Sequence, residues 1–515
     1  MTCPSWHKLT LLVLLSIVFA APVNAQDTIP SDDASQEAMI QQESSPAERD
    51  AVKKEIEQAA KAIEPEKKPA QYSGTYTLRA AVMKSLKDNP SIEAARRGAT
   101  SAEETRKSAR GAFGPALSTT YSGSYNDPHV GYLSRNIYQW VVTVSQPIFT
   151  GFNLLATYNS AALNAKSQDI ALDQAELNLI LLVQENFINL LSARENVKSS
   201  KDSVERLASQ LKVAQAFYDV GLKPRIDVLR AEAQLSDAEN TLLSDQNTVL
   251  TQEARLNTLL NLPVNAPIDY EGELAYFPFD LTLQVSLDIA SHLRPDILIA
   301  RKATEISQED VTIAASDFYP QVDGTFSVTR NGDTVAVNGF RDATEVANFS
   351  TPLSQTQIGI NASWSLFTWG TTYYATTSAQ QTVLSNKALE ANTWQEAAFE
   401  IKSRYLNITN SAKRIKVAEK SVTAAEEAYR MAVARYQAQV GTNTDVLDAQ
   451  SDLSTAEASL ISARGDYMIA VASLYNAIGK RVPGLATDKI GSEIDVYDCS
   501  GTEKPSIPSP TQDEL

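Results

Sequence analysis

Past residue 25 the chain has no run of 18 apolar residues, so none of its helices is built to cross a bilayer, and any membrane-embedded part must be a closed barrel. Of two cysteines, Cys3 falls in the leader discussed below and Cys499 in a polar tail. Disulfides are therefore not expected to hold the fold together. Three histidines, one of them His7, with no partnered cysteine or aspartate cluster, offer no catalytic or metal centre. Neither an enzyme nor a cofactor is expected. No nucleotide-binding motif is present, so energy for any transport must come from partners. A formal charge of -17 would be repelled by phosphates, which excludes nucleic acid as a partner. Glycine and proline are both missing from the 69 residues between Phe152 and Val220.

What is present begins with a basic start, an apolar stretch and a Val-x-Ala ending before Gln26, the pattern of a secretory signal peptide over residues 1–25. Residues 26–74, rich in Glu, Gln, Ser, Ala and Lys, read as a disordered acidic linker. An internal repeat follows. At a separation of 205, Pro90, Ile92, Ala95, Arg96, Phe113 and Pro115 recur as Pro295, Ile297, Ala300, Arg301, Phe318 and Pro320. From Phe149 the separation is 218: Phe149, Tyr218, Asp227, Val228 and Leu229 recur as Phe367, Tyr436, Asp445, Val446 and Leu447. The repeats span residues 75–281 and 282–482, with 483–515 as a closing segment and tail. The second copy holds 13 more residues between Pro320 and Phe367, which places a loop tip in that interval.

Each copy has one helical segment after the internal proline, two strand-like stretches, the unbroken run, a short break, and a return run of 37 or 38 residues. At ~1.5 Å per residue the unbroken run extends ~100 Å as a helix. Ala418, Val422, Ala425, Tyr429, Ala432 and Tyr436 step by four and three, as do Leu453, Ala456, Leu460, Ala463, Tyr467, Ala470 and Leu474. The first copy answers with Val204, Leu207, Leu211, Ala214 and Tyr218 against Leu235, Ala238 and Leu242. Two such seams joined by a turn make an antiparallel coiled-coil hairpin. The strand stretches alternate: Ile358, Ile360, Ala362, Trp364 and Leu366 share one face, as do Tyr138, Trp140, Val142, Val144 and Ile148, then Val322, Gly324, Phe326 and Val328, and Leu117, Thr119, Tyr121 and Tyr125. The alternation fits an outer membrane barrel or a half-buried soluble sheet. Four strands cannot close a barrel, so a barrel would need several chains.

"SQPIFTGF" and "WSLFTWG" enter the long runs; "YDVGLKPRIDVLRAEAQL" and "YQAQVGTNTDVLDAQSDL" leave them. With the duplicated plan, these resemble the TolC family of outer membrane efflux proteins, over residues from about 75 to 482. The resemblance implies a mainly α protein with a membrane β-barrel: a homotrimer in which each chain gives four strands to a 12-stranded barrel in outer membrane lipid. The long helices would continue into the periplasm as a tunnel. A mixed belt around its middle would come from residues 263–285, 483–497 and the helical pieces before Pro90 and Pro295. It also implies an exit duct for a tripartite efflux pump or a type I secretion system, opened by a periplasmic adaptor coupled to an inner-membrane RND or ABC transporter. The other reading left open is a secreted coiled-coil scaffold without channel activity.

The breaks lie ~100 Å from the strands, so they mark the tunnel's far tips. Asp227 and Asp445 each begin a return helix, where a carboxylate can act as N-cap. Asp448 follows Asp445 at helical spacing and shares its face. Three copies would give a ring of six carboxylates that favours cations and could take a metal ion as a blocker. By resemblance, Asp445 and Asp448 form the acidic constriction, Asp227 and Tyr436 belong to the network that holds the entrance shut, and Gly221, Leu222, Gly441 and Thr442 meet the adaptor. The second turn reads as two residues shorter between glycine and aspartate than the first. Asn443 stands near where some relatives carry a gating arginine, so a charged latch does not carry over.

Overall fold

A computed structural model describes residues 74–125, 136–337 and 354–485. The expected leader, the linker up to residue 73 and the tail from 486 lie outside the described residues. The repeat governs everything in between. Helices α1 (Leu78–Asp88) and α2 (Pro90–Gly111) answer to α5 (Leu283–Leu293) and α6 (Pro295–Ala315). Strands β2 (Ala116–Tyr125) and β3 (Asn136–Thr150) answer to β5 (Gln321–Gly332) and β6 (Ser354–Ser363). Then α3 (Asn153–Asp219) and α7 (Thr371–Gln437) have 67 residues each, and α4 (Arg225–Leu259) and α8 (Asn443–Ala477) have 35 each. Two short strands, β1 (Gly74–Tyr76) and β4 (Ile268–Tyr270), pair in parallel. The 13 extra residues of the second copy all fall between Arg330 and Ser354, an interval that includes residues outside the described set.

The hairpin registers obey the same offsets: Ala116 faces Ser145, and Gln321 faces Ser363. The sheet order is β2-β3-β5-β6, all antiparallel. Rows across it alternate in character. Leu117, Val144, Phe326 and Ile358 stand in one row and Thr119, Val142, Val328 and Thr356 in the next on that face. Ser118, Thr143, Ser327 and Gln357 form a row on the other. Neither outer edge, β2 or β6, is paired among the described residues. Trp364 and Leu366 were expected on the strand face but lie past it: β5 starts at Gln321, opposite Ser363, so no partner remains beyond. Pro147, which cannot donate, coincides with the register shift in β3.

Two contacts show how the copies solve one problem with different residues. Gln146 Nε2 donates to the Phe113 carbonyl at 2.9 Å, and its counterpart Trp364 Nε1 donates to the Phe318 carbonyl at 3.1 Å. Asn89, the N-cap of α2, donates Nδ2 to the Leu259 carbonyl at the end of α4, 2.9 Å away. Its counterpart Arg294 donates to the Ala477 carbonyl at the end of α8 at 3.0 Å. Each short return helix therefore abuts the helix that precedes its own strands. One repeat is a single ~100 Å helix beside two helices stacked end to end. At 35 residues the return helices are slightly shorter than the 37 or 38 expected, because Asn261 and Gly479 turn the chain with positive φ.

The seams pack as their spacing requires. Leu207, Ala214, Leu453, Ala456, Ala463, Tyr467 and Leu474 are buried, whereas Tyr218, at the end of the first seam, is exposed. The main core sits at the middle of α3, where Val183, Phe187 and Leu190 meet Leu78 and Val82 of α1, Tyr270 of β4, and Met468 and Val471 of α8. Tyr270 donates its hydroxyl to Asn257 Oδ1 at 2.7 Å, satisfying both inside that core. This belt halfway along the long helices includes α1, α5, β4 and Leu485 as expected; β1 and Val482 are additions.

Candidate gate at the hairpin tips

Both tip turns are five residues long, 220–224 and 438–442, and they bond alike. Gly221 N donates to the Tyr218 carbonyl, and Leu222 and Lys223 N to that of Phe217. In the second turn Gln439 N donates to the Tyr436 carbonyl, and Val440 and Gly441 N to that of Arg435. The left-handed position is held by Gly221 (φ 74°) in the first turn and by Gln439 (φ 64°) in the second. Gly441 is thus the counterpart of Lys223, not of Gly221, and the apparent two-residue shortening disappears. Gly441 is a glycine for space: a Cβ there would stand 3.1 Å from Arg435 Cβ and 3.2 Å from Tyr436 N.

Asp227 and Asp445 occupy the same place, the third residue of a return helix, rather than the N-cap expected of them. The caps are Pro224 and Thr442. Thr442 and Asp445 form a reciprocal capping box: Asp445 N donates to Thr442 Oγ1 at 3.1 Å, and Thr442 N donates to Asp445 Oδ2 at 2.9 Å. These bonds, with Arg435 nearby, hold the Asp445 carboxyl below the usual aspartate range. Asp448 lies one turn on and is exposed, as Asp445 is, so the pair does share a helix flank at the tip.

The two tips of one chain are tied together. Asn443 is buried; it accepts from Gln210 Nε2 at 2.7 Å and donates to the Asp227 carbonyl at 2.9 Å. Arg230 donates to Thr444 Oγ1 at 2.9 Å, and Lys223 Nζ to the Gly441 carbonyl at 3.4 Å. The Lys223 ammonium also stands 5.4 Å above the Tyr436 ring, whose edge meets Phe217 at 5.4 Å. Tyr436 is fully buried and its hydroxyl has no hydrogen-bond partner among the described residues. Burial, and then the Asp227 charge, push that hydroxyl's pKa up. Asp227 and Tyr436 therefore lie near one another at the tip, but the bond joining Asp227 to the other hairpin is the one its backbone carbonyl accepts from Asn443. Gln210, Lys223 and Arg230 were not foreseen. Gln210 left one trace, a polar residue inside the run from Leu207 to Ala214.

The first tip exposes Leu222, Ile226, Leu229 and Val220, the last 68 % accessible; the second exposes Val440 at 70 %. Gly221 and Thr442 are exposed, but Gly441 is buried, so Val440 takes its place on the surface. Among the described residues no group of three or more His, Cys, Asp or Glu side chains converges.

A duplicated chain of this plan defines a class. Residues 81–262 and 287–480 match the outer membrane efflux protein family, and the chain belongs to it; membership places the protein in the outer membrane. Among relatives, the chain is 23% identical to the outer membrane efflux protein BepC of Brucella suis, over 82% of this chain and 88% of that one. It is 25% identical to the outer membrane protein TolC of Vibrio cholerae, over 73% and 84% respectively. The fold resembles the crystal structure of the outer membrane protein VceC from Vibrio cholerae, with a TM-score of 0.66, 19% identity, and coverage of 78% of this chain and 96% of that one.

Proposed function

We propose that the protein is the trimeric outer membrane exit duct of a tripartite efflux pump or type I secretion system, closed at its hairpin tips until a periplasmic adaptor docks there. The observation that carries the reading is the sheet. Ile358 and Ile360 on β6 are 80 % and 76 % exposed, while the opposite face carries serine, threonine and glutamine. A soluble sheet buries its apolar face; a barrel turns it to lipid. From Trp140 to Phe149 is nine residues, ~30 Å of strand, or ~23 Å of height at a tilt of ~40°, close to the ~25 Å apolar band of such barrels.

Four strands with two free edges need further copies, and three copies give twelve strands. Twelve long-helix positions in a ring at ~10 Å spacing make a tunnel of ~38 Å diameter, with ~28 Å left inside the helix walls. So wide a bore holds no gradient, which requires closure at the tips. The acidic pair Asp445 and Asp448, repeated three times, would line that closure. The adaptor would meet Val220, Gly221, Leu222, Val440 and Thr442, and an inner-membrane RND or ABC transporter would supply energy. Cargo is set by the transporter, since a wide duct passes what it is given.

The test is heat treatment of a detergent extract, followed by planar bilayer recording of the purified species. The expected result is a species three times the chain mass that collapses on boiling and conducts in a bilayer. A monomer that stays in buffer without detergent and forms no pores would instead make this a periplasmic coiled-coil scaffold.

A further inference from the structure

Trp369 sits at the entry to α7, 88 % exposed, with φ of 51°. A bulky side chain rarely adopts this left-handed conformation, and persistence there implies that something outside the residue compensates. Among the described residues its ring meets Phe367, 4.9 Å away. The first repeat shows what this position faces. Its counterpart is Gly151 (φ 60°), pressed against the end of α6: a Cβ on Gly151 would lie 2.4 Å from the Ser316 carbonyl oxygen and 3.0 Å from Tyr319 Cβ. Phe152 meets the Tyr319 ring edge-on at 5.6 Å. So the start of the long helix of repeat one abuts residues 316–319 of repeat two.

If three copies close a ring, the start of α7 must abut the counterpart of 316–319 on the next protomer, which is 111–114. There the residues equivalent to Ser316 and Tyr319 are Gly111 and Gly114. A Cβ on Gly111 would meet nothing within 4 Å, and one on Gly114 would meet only the Gly111 carbonyl, at 3.3 Å. The sizes are exchanged across the contact: glycine against serine and tyrosine within the chain, tryptophan against two glycines between chains. The seam strands agree. Val144 faces Phe326 in the β3–β5 pair, and the same offsets put Ala362 of β6 opposite Tyr121 on the neighbour's β2, both on the apolar face.

We infer that the indole of Trp369 seats in the notch over Gly111 and Gly114 of the adjacent protomer, and that this exchange of sizes fixes the joint between chains. The inference rests on the trimeric reading above. It is tested in a Cys499→Ser background carrying Trp369→Cys and Gly114→Cys. The template spacing of 3.0 Å between Cβ positions is ~0.8 Å inside the ~3.8 Å of a disulfide, so a small outward shift lets the two sulfurs bridge. Mild oxidation of outer membranes should give covalent dimers and trimers on boiled, non-reducing gels, and neither single cysteine variant should. In parallel, Gly114→Tyr alone should lower the temperature at which trimers dissociate, by filling the notch, and adding Trp369→Gly should restore most of it. Heat-labile, conducting trimers with no cross-link above the single variants, or a Gly114→Tyr trimer as heat-resistant as the parent, would overturn the inference and leave the duct standing. Absence of any trimer in the unmodified protein would overturn both.

Discussion

Replacing Asn443 by alanine tests whether the bonds between the two tips of each chain hold the tunnel shut. The side chain is buried and joined to Gln210 Nε2 at 2.7 Å and to the Asp227 carbonyl at 2.9 Å. Alanine removes both bonds and leaves the buried Gln210 amide donor without a partner in the closed arrangement, whereas the Asp227 carbonyl, inside α4, keeps its intrahelical bond. An unsatisfied buried donor costs ~1–3 kcal/mol there. Once the hairpins part, the donor reaches water and the cost vanishes, so the closed state is penalised by ~1–3 kcal/mol per chain relative to the open one. That is a ~5- to ~150-fold shift per chain toward opening. Single-channel recording in planar bilayers should show larger or longer openings without adaptor. Thr444→Ala, which removes one solvent-accessible bond to Arg230, should shift opening by less than ~5-fold. Intact Asn443→Ala trimers with unchanged conductance would refute the idea that separation of these tips is the opening step.

Asp445→Ala with Asp448→Ala should weaken cation preference and block by multivalent cations in the same recordings; unchanged selectivity would reject an acidic ring. The capping box predicts a pH dependence. Because the folded-state pKa of Asp445 is depressed, its stabilisation is present above the ordinary aspartate pKa of ~3.9 and is lost as pH falls through the lower folded value. Amide exchange at Thr442, corrected for its intrinsic pH dependence, should therefore quicken below about pH 4, and Asp445→Asn should flatten that response. At the helix junctions, Arg294→Ala should cost more thermal stability than Asn89→Ala. Arg294 also pairs with Asp296 at 2.8 Å and Glu400 at 2.6 Å, so its loss leaves the half-buried Asp296 carboxylate without its cation and Glu400 with Arg404 alone, ~2 kcal/mol after allowance for their partial exposure, against ~1 kcal/mol for a neutral cap. Equal melting shifts would show that the charges at this joint are screened.

The duplication, the long helices, the four strands and the position of the tips were legible because each depends on spacing alone. A run without glycine or proline has one simple conformation, and alternation along "QTQIGINASWSLF" has one period. The tip bonding was not legible, because it depends on which backbone position each residue takes. Two glycines, Gly221 and Gly441, suggested equivalence by type, yet the left-handed place in the second turn went to Gln439. The repeat offset itself, 218, maps 221 onto 439, so counting outranked residue type. Asn443, between two threonines in a polar turn, gives no outward sign that it is buried between hairpins.

The same offset shows why two copies of one plan have drifted apart in specific places. Where both copies face the same kind of neighbour the residues stay alike: Thr77 and Thr282 cap α1 and α5 by the same side-chain bond. Where the neighbour differs, the chemistry differs while the contact remains, as with Asn89 and Arg294 at the two helix junctions. Glu400, the anion that Arg294 meets, has Leu182 as its first-copy counterpart, so an arginine at position 89 would there face an apolar residue. A swap of Asn89→Arg should thus fail to stabilise the first junction unless Leu182→Glu is added. A stabilising effect of Asn89→Arg alone, measured by thermal unfolding, would mean that the junction reads only the carbonyl at the helix end and that the surrounding charges are incidental.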